Sequence, residues 1–138
     1  MQTKAPFYSL QIPSSLDQLS MSIHSALGAL REHGWIDETT RNSAHLCLEE
    51  ALVNAIQHGN ESDISRSVRL EMWEDGDRCR ILVFDEGPGF HTTDVPKPTI
   101  EQARGRGLCL IKHFMDHVEF HCAKHCLEMV FGRKSLSR

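Results

Sequence analysis

No apolar run in the sequence approaches the about 20 residues that a membrane-spanning helix needs, and the opening Met1-Gln2-Thr3-Lys4-Ala5-Pro6 lacks the apolar core of a signal peptide. A cytoplasmic chain with no membrane partner is expected. Positive charge is in the minority. The 15 Lys and Arg stand against 19 Asp and Glu, and a formal net charge of −4 offers no electrostatic footprint for nucleic acid. Paired cysteines are lacking too: there are five, and three of them sit among apolar residues, so no disulfide framework is expected. His121-Cys122 and His125-Cys126 invite a zinc reading, but they flank a tight turn, and strand alternation sends adjacent side chains to opposite sheet faces. The common nucleotide and hydrolase signatures are also missing. There is no Gly-x4-Gly-Lys-Ser/Thr loop, no glycine-rich loop with the catalytic loop and Asp-Phe-Gly of ordinary protein kinases, and no Gly-x-Ser-x-Gly elbow. Any nucleotide site must be built by another route. With no repeat, low-complexity segment or linker, residues 1–138 read as a single domain long enough for its own core.

What is present is organised around residues 41–59. Ala44, Cys47, Leu48, Ala51, Leu52, Ala55 and Ile56 recur at three- and four-residue steps and form one apolar helical stripe. Glu50 and Asn54, one turn apart, fall together on its border, whereas Glu49 points toward solvent. A carboxylate and a carboxamide on adjacent turns supply oxygen ligands that suit a hard divalent cation or a water.

Before this helix the sequence predicts a strand over 7–12, with Tyr8, Leu10 and Ile12 on one face, closed by Pro13. A Ser15–Gln18 capping box then opens a helix ending near Gly34, and Asp37 or Thr39 caps the central one. After it come a strand over 68–73, a turn over 74–77, and a strand over 79–84 that reads as buried on both faces at its end. Residues 90–104, with Pro96 and Pro98, read as a loop. Gly107 opens a helix to about 117 with Leu108, Ile111, Phe114 and Met115 inward, and strands over 118–122 and 127–131 close the chain. Hairpin-paired strands with helices in separate blocks predict an α+β two-layer sandwich: a mixed, mostly antiparallel sheet covered on one face by helices.

Two glycine clusters bracket the loop. Asp85-Glu86-Gly87-Pro88-Gly89 follows a buried strand without a polar break, and an inward carboxylate there needs a donor to offset its desolvation. The exocyclic amine of adenine is such a donor, and glycines let backbone approach the face of a purine. Arg104-Gly105-Arg106-Gly107-Leu108 opens a helix with exposed N–H groups, close-approach glycines and flanking arginines, which suits a phosphate chain.

Glu50-Ala51-Leu52-Val53-Asn54-Ala55 with His58-Gly59, then Asp85-x-Gly87-x-Gly89, then Gly105-x-Gly107-Leu108 resemble the N, G1 and G2 boxes of the GHKL (Bergerat-fold) ATPases, which include gyrase, mismatch-repair ATPases and histidine kinases. The short length and the Gly-Arg-Gly-Leu-x-Leu-Ile-x-x-Phe-Met-Asp run ending at Asp116 are similar to the stand-alone anti-sigma factor serine kinases of bacteria. The resemblance implies ATP and Mg²⁺ as cofactors, with Asn54 holding Mg²⁺ on the triphosphate, Asp85 accepting from adenine and the backbone of Gly105 and Gly107 cradling phosphate. His58, Gly87, Gly89 and Leu108 belong to the same motifs, and residues 90–104 would form the ATP lid. Glu50 would orient and deprotonate the attacking hydroxyl, a serine of a STAS-domain anti-anti-sigma protein. A glutamate near its reference pKa is a weak base, so its expected part is mainly orientation. Arg104 or Arg106 would neutralise the transferred phosphoryl group. A sigma factor is the second implied partner, and a homodimer is in keeping with the family. Cys126 and Leu127 stand where the family usually carries Gly-Thr; loss of that hydroxyl removes a hydrogen bond of about 0.5 to 1.5 kcal/mol, so a weak ATP site is expected. The alternatives are a nucleotide-binding module that sequesters partners without phosphotransfer, and a detached histidine-kinase-type catalytic domain.

Overall fold

The computed structural model describes residues 5–87 and 106–137, with side chains from residue 109 onward in the last helix. Its elements run in the expected order: β1 (Tyr8–Pro13), α1 (Leu19–Glu32), α2 (Arg41–Asn54), β2 (Ser67–Asp75), β3 (Arg78–Phe84), α3 (Arg106–Phe114), β4 (His117–His121) and β5 (Cys126–Gly132). The sheet order is β1-β2-β3-β5-β4, and every neighbouring pair is antiparallel. The expected mixed sheet is thus corrected. The β4–β5 hairpin docks through β5 rather than β4, and β5 returns antiparallel to β3.

One face of the sheet is the core. Leu70 pairs with Val83 and Ile81 with Met129, and all four are at most 1% exposed. Ile23, Leu27 and Leu30 of α1, Leu48 and Leu52 of α2, and Ile111 of α3 cover them. Each such side chain contributes about 1.5–3 kcal/mol on burial. β3 alternates regularly, with Leu82 and Phe84 only half-buried on the outer face, where the Arg69 guanidinium lies 4.2 Å from the Phe84 ring centroid. Its end is therefore not buried on both faces, because no second layer of the described residues covers the sheet there.

Local hydrogen bonds set the helix starts. Ser15 Oγ accepts from Asp17 N–H at 3.2 Å and opens a 3-10 turn, Leu16–Gln18, in place of the expected Ser15–Gln18 box. The cap position of α2 is Thr40, whose side chain makes no cap bond, so neither Asp37 nor Thr39 stands there; Asp37 instead fastens the turn that leads into the helix. Its Oδ1 accepts from the Thr39 hydroxyl (2.7 Å) and from the N–H groups of Thr39 (2.9 Å) and Thr40 (3.1 Å), and Thr40 Oγ1 accepts from Asp37 N–H at 2.9 Å. These bonds, led by the Thr39 hydroxyl, hold the Asp37 carboxyl below the ordinary carboxylate range. The β2–β3 turn is tighter than predicted, with Gly76 at φ 62° beside Asp77.

Trp35, 1% exposed, pins the α1–α2 connection to the sheet. Its Nε1 donates to Glu74 Oε1 at 3.0 Å, the Arg133 guanidinium stacks 3.9 Å from its ring, and Phe131 meets it edge-on at 6.2 Å. Trp35→Ala is expected to cost about 3–5 kcal/mol, seen as a lower urea midpoint. No helix of the described residues is long and apolar enough to cross a membrane.

Candidate functional site

The central helix changes character where its chemistry lies. After Asn54 the α-helix widens into a π-helical turn, Ala55–Gly59, closed by Asn60 N–H donating to Ala55 O at 2.8 Å. Residues 41–59 are thus not one uniform α-helix, and such π turns often mark functional sites. Asn54 is only 4% exposed although it carries a carboxamide. It lines a narrow cleft between α2 and the sheet, together with Ala51, Ala55, Val83, Asp85, Phe120 and Leu127.

Asp85 leaves the end of β3 with its side chain 5% exposed. Its N–H donates to His125 O at 2.9 Å, and its Oδ1 accepts from Gly87 N–H at 3.0 Å. The His125 ring places Nδ1 at 3.8 Å from the same oxygen, beyond hydrogen-bond reach. A Cβ on Gly59 would overlap the Asp85 carboxyl group, and a Cβ on Gly87 would overlap the Gly59 carbonyl oxygen. The two glycines therefore let the end of the helix, the end of β3 and a buried carboxylate meet in one place.

Asn60 locks this junction. It is fully buried; its Oδ1 accepts from Glu86 N–H at 2.6 Å, while its Nδ2 donates to Ser14 Oγ at 2.6 Å and Ser67 O at 2.9 Å. The Glu86 carboxylate in turn accepts from the N–H and the hydroxyl of Ser67, and these bonds hold its pKa below the usual range. The sequence places Gly59 in the motif with His58 and weighs His125 only for zinc, and it gives no part in this junction to Asn60 or Ser67. The short polar run after an apolar helix was the sole signal.

Glu50 sits one turn before Asn54 and, like Glu49, is half-buried. Glu50 is not part of the cleft wall around Asp85. Its charge is felt by Cys47, whose thiol is pushed up to about 12 first by burial and then by Glu50. His58 is exposed at the end of the π turn. Arg106 is the first residue of α3, followed by Gly107 and Leu108, so the helix begins one residue earlier than predicted. Gly89, Arg104, Gly105 and the lid at 90–104 lie outside the described residues.

The residues present fit a purine nucleotide and a hard cation. A buried carboxylate stands at the cleft wall, flanked by glycines that leave room, and carboxamide and carboxylate oxygens lie on adjacent helical turns. Leu127, the cross-strand partner of Val83, puts an apolar side chain in that wall.

Residues 12–131 match the family described as Histidine kinase-like ATPase domain. The chain is 32% identical over 98 residues to an Anti-sigma F factor of Oceanobacillus iheyensis, which spans 66% of either chain. It is 30% identical over 97 residues to an Anti-sigma F factor of Clostridium perfringens, covering 65% of this chain and 69% of that one. With Serine-protein kinase RsbW of Bacillus subtilis it shares 23% identity over 128 residues, 86% and 79% of the two chains. Among solved structures, the histidine kinase domain of a blue-light activated histidine kinase from Erythrobacter litoralis has a TM-score of 0.53 at 18% identity, covering 91% of this chain and 64% of that one, a likeness of fold. The α+β sheet with its helical layer and the match across 12–131 place the chain: it belongs to the histidine kinase-like ATPase domain family, with anti-sigma factors among its relatives.

Proposed function

We propose that the protein is an ATP-dependent serine kinase acting as an anti-sigma factor, which phosphorylates a serine of a STAS-domain anti-anti-sigma partner and releases or holds a sigma factor accordingly. The observation that carries this reading is the Asp85 carboxylate, buried between Gly59 and Gly87 at the wall of the cleft that Asn54 lines. Relatives named as anti-sigma factors and as a serine-protein kinase support it.

Asp85 accepts from the exocyclic amine of adenine, a contact that answers the desolvation of its carboxylate. Asn54 would hold the cation through its carboxamide oxygen, and Glu50, a turn earlier, would orient the serine hydroxyl that enters the site. The first N–H groups of α3, at Arg106 and Gly107, face an anion favourably through the helix dipole. Bound Mg-ATP supplies the phosphoryl group and the charge neutralisation for its transfer. A phosphorylated partner gains about −1.5 to −2 charges. Against a protein of net charge −4 that addition favours release.

Leu127→Thr is expected to tighten ATP binding about 2- to 13-fold, the equivalent of one restored hydrogen bond of about 0.5–1.5 kcal/mol, in a calorimetric titration. The function itself is tested by incubating the protein with γ-labelled ATP and a STAS-domain partner, then identifying the modified residue by mass spectrometry. Phosphoserine on the partner is the expected product. A stable complex without phosphate on the partner marks a sequestering module, and phosphohistidine marks a histidine-kinase-type domain; either outcome overturns the reading.

A further inference from the structure

The outer face of the sheet carries a second group of chemically able side chains, at the edge formed by β4 and β5. β4 reads His117-Val118-Glu119-Phe120-His121, so alternation turns His117, Glu119 and His121 outward while Val118 and Phe120 pack toward the core. The register sets Glu119 directly opposite Glu128 of β5. Like charges in that position are destabilising unless something positive stands between them.

The donor atoms converge. His117 Nε2 lies 3.1 Å from Glu119 Oε1 and 3.9 Å from Glu128 Oε1, and one ligand atom from each of the three residues falls within 4.8 Å of the others. Two ligands at about 2.0–2.2 Å from a shared tetrahedral ion are separated by about 3.4 Å. The observed spacings straddle that value. Arg80 engages the other oxygen of Glu128, with Nη1 at 3.4 Å from Oε2, which leaves Oε1 turned toward the histidines.

His121 reinforces the reading. Its Nε2 is 2.9 Å from Glu128 Oε1 and its Nδ1 is 3.4 Å from Glu119 Oε2. A neutral imidazole has one N–H, so one of these two contacts sets a lone pair against a carboxylate. Those contacts leave aside the convergence of His117, Glu119 and Glu128. A divalent cation among those three answers both it and the opposed carboxylates.

We propose that His117, Glu119 and Glu128 form a binding site for a borderline transition cation of the zinc class, with His121 and Arg80 orienting the two carboxylates from outside it. One imidazole nitrogen and two carboxylate oxygens on paired strands are a donor set suited to zinc, cobalt or nickel rather than to magnesium. Outer partners of this kind fix ligand orientation. The bound ion would tie the edge strand β4 to β5, the strand that carries Leu127. The site lies on the sheet face away from the helices and does not depend on the nucleotide reading.

The test is a cobalt(II) titration of the full-length, reduced, nucleotide-free protein, followed by visible absorption, with zinc calorimetry in parallel. One equivalent should bind with d–d bands and no thiolate charge-transfer band. Binding should be lost in His117→Ala and in Glu119→Gln, whose side chains are both 52% exposed and whose replacement leaves the core intact. His121→Ala should bind about 10- to 100-fold more weakly. Absence of saturable one-to-one binding, a thiolate band, or wild-type affinity in both His117→Ala and Glu119→Gln would overturn the proposal.

Discussion

Glu50→Gln is expected to slow phosphoryl transfer to the partner serine by about 10²- to 10⁴-fold, the range in which a positioned acid or base contributes. ATP affinity should stay close to that of the wild type, because Glu50 stands outside the cleft wall that Asp85 and Asn54 share. Glutamine keeps the size of the side chain and its helix propensity, so the fold at α2 is not disturbed. In this chemistry the transition state is reached mainly by alignment and charge stabilisation, and the lost carboxylate acts on the alignment of the attacking hydroxyl. Single-turnover transfer alongside a nucleotide titration separates the two effects. Unchanged transfer in the variant would show that another group orients the hydroxyl.

Gly87→Ala is expected to have the largest effect on nucleotide binding of any change that leaves every polar side chain in place. The added methyl would overlap the Gly59 carbonyl oxygen, a backbone atom. Neither side of that contact yields easily. Asn60 ties the 86 position to Ser14 and Ser67, and His125 O holds the Asp85 N–H. Overpacking of this kind costs about 1–3 kcal/mol, to be read from the urea midpoint. The strain is relieved by moving the Asp85 turn, so ATP affinity should fall more than about tenfold, or about 1.4 kcal/mol. Wild-type affinity in a folded Gly87→Ala protein would show that the turn is not part of the nucleotide site.

The elements were legible where periodicity is strong. The alternation of Val68 to Trp73 and the stripe from Ala44 to Ile56 give β2 and α2 directly, and the buried positions follow. Asp85 was legible for a physical reason: a carboxylate straight after four apolar residues needs a partner. The place of β5 beside β3 was not, because that pairing is decided by tertiary packing across residues 78 to 132. Nor was the π turn, since Ala55-Ile56-Gln57-His58 carries no breaker to announce it. Asn60 escaped notice because Ser14, one of its partners, is 46 residues away. The conflict between Glu119 and Glu128 exists only once the β4–β5 register is known. Apart from the π turn, the missing information is a contact set by strand pairing or tertiary packing, which local propensity does not encode.

The central claim is that Asp85 marks an adenine nucleotide site, and a calorimetric titration of ATP with Mg²⁺ into the wild type and Asp85→Asn tests it most directly. The account predicts saturable one-to-one binding by the wild type, weak because of Leu127, and its loss in a variant that melts as a folded protein. Equal heats in both proteins, or none in the wild type, would contradict it.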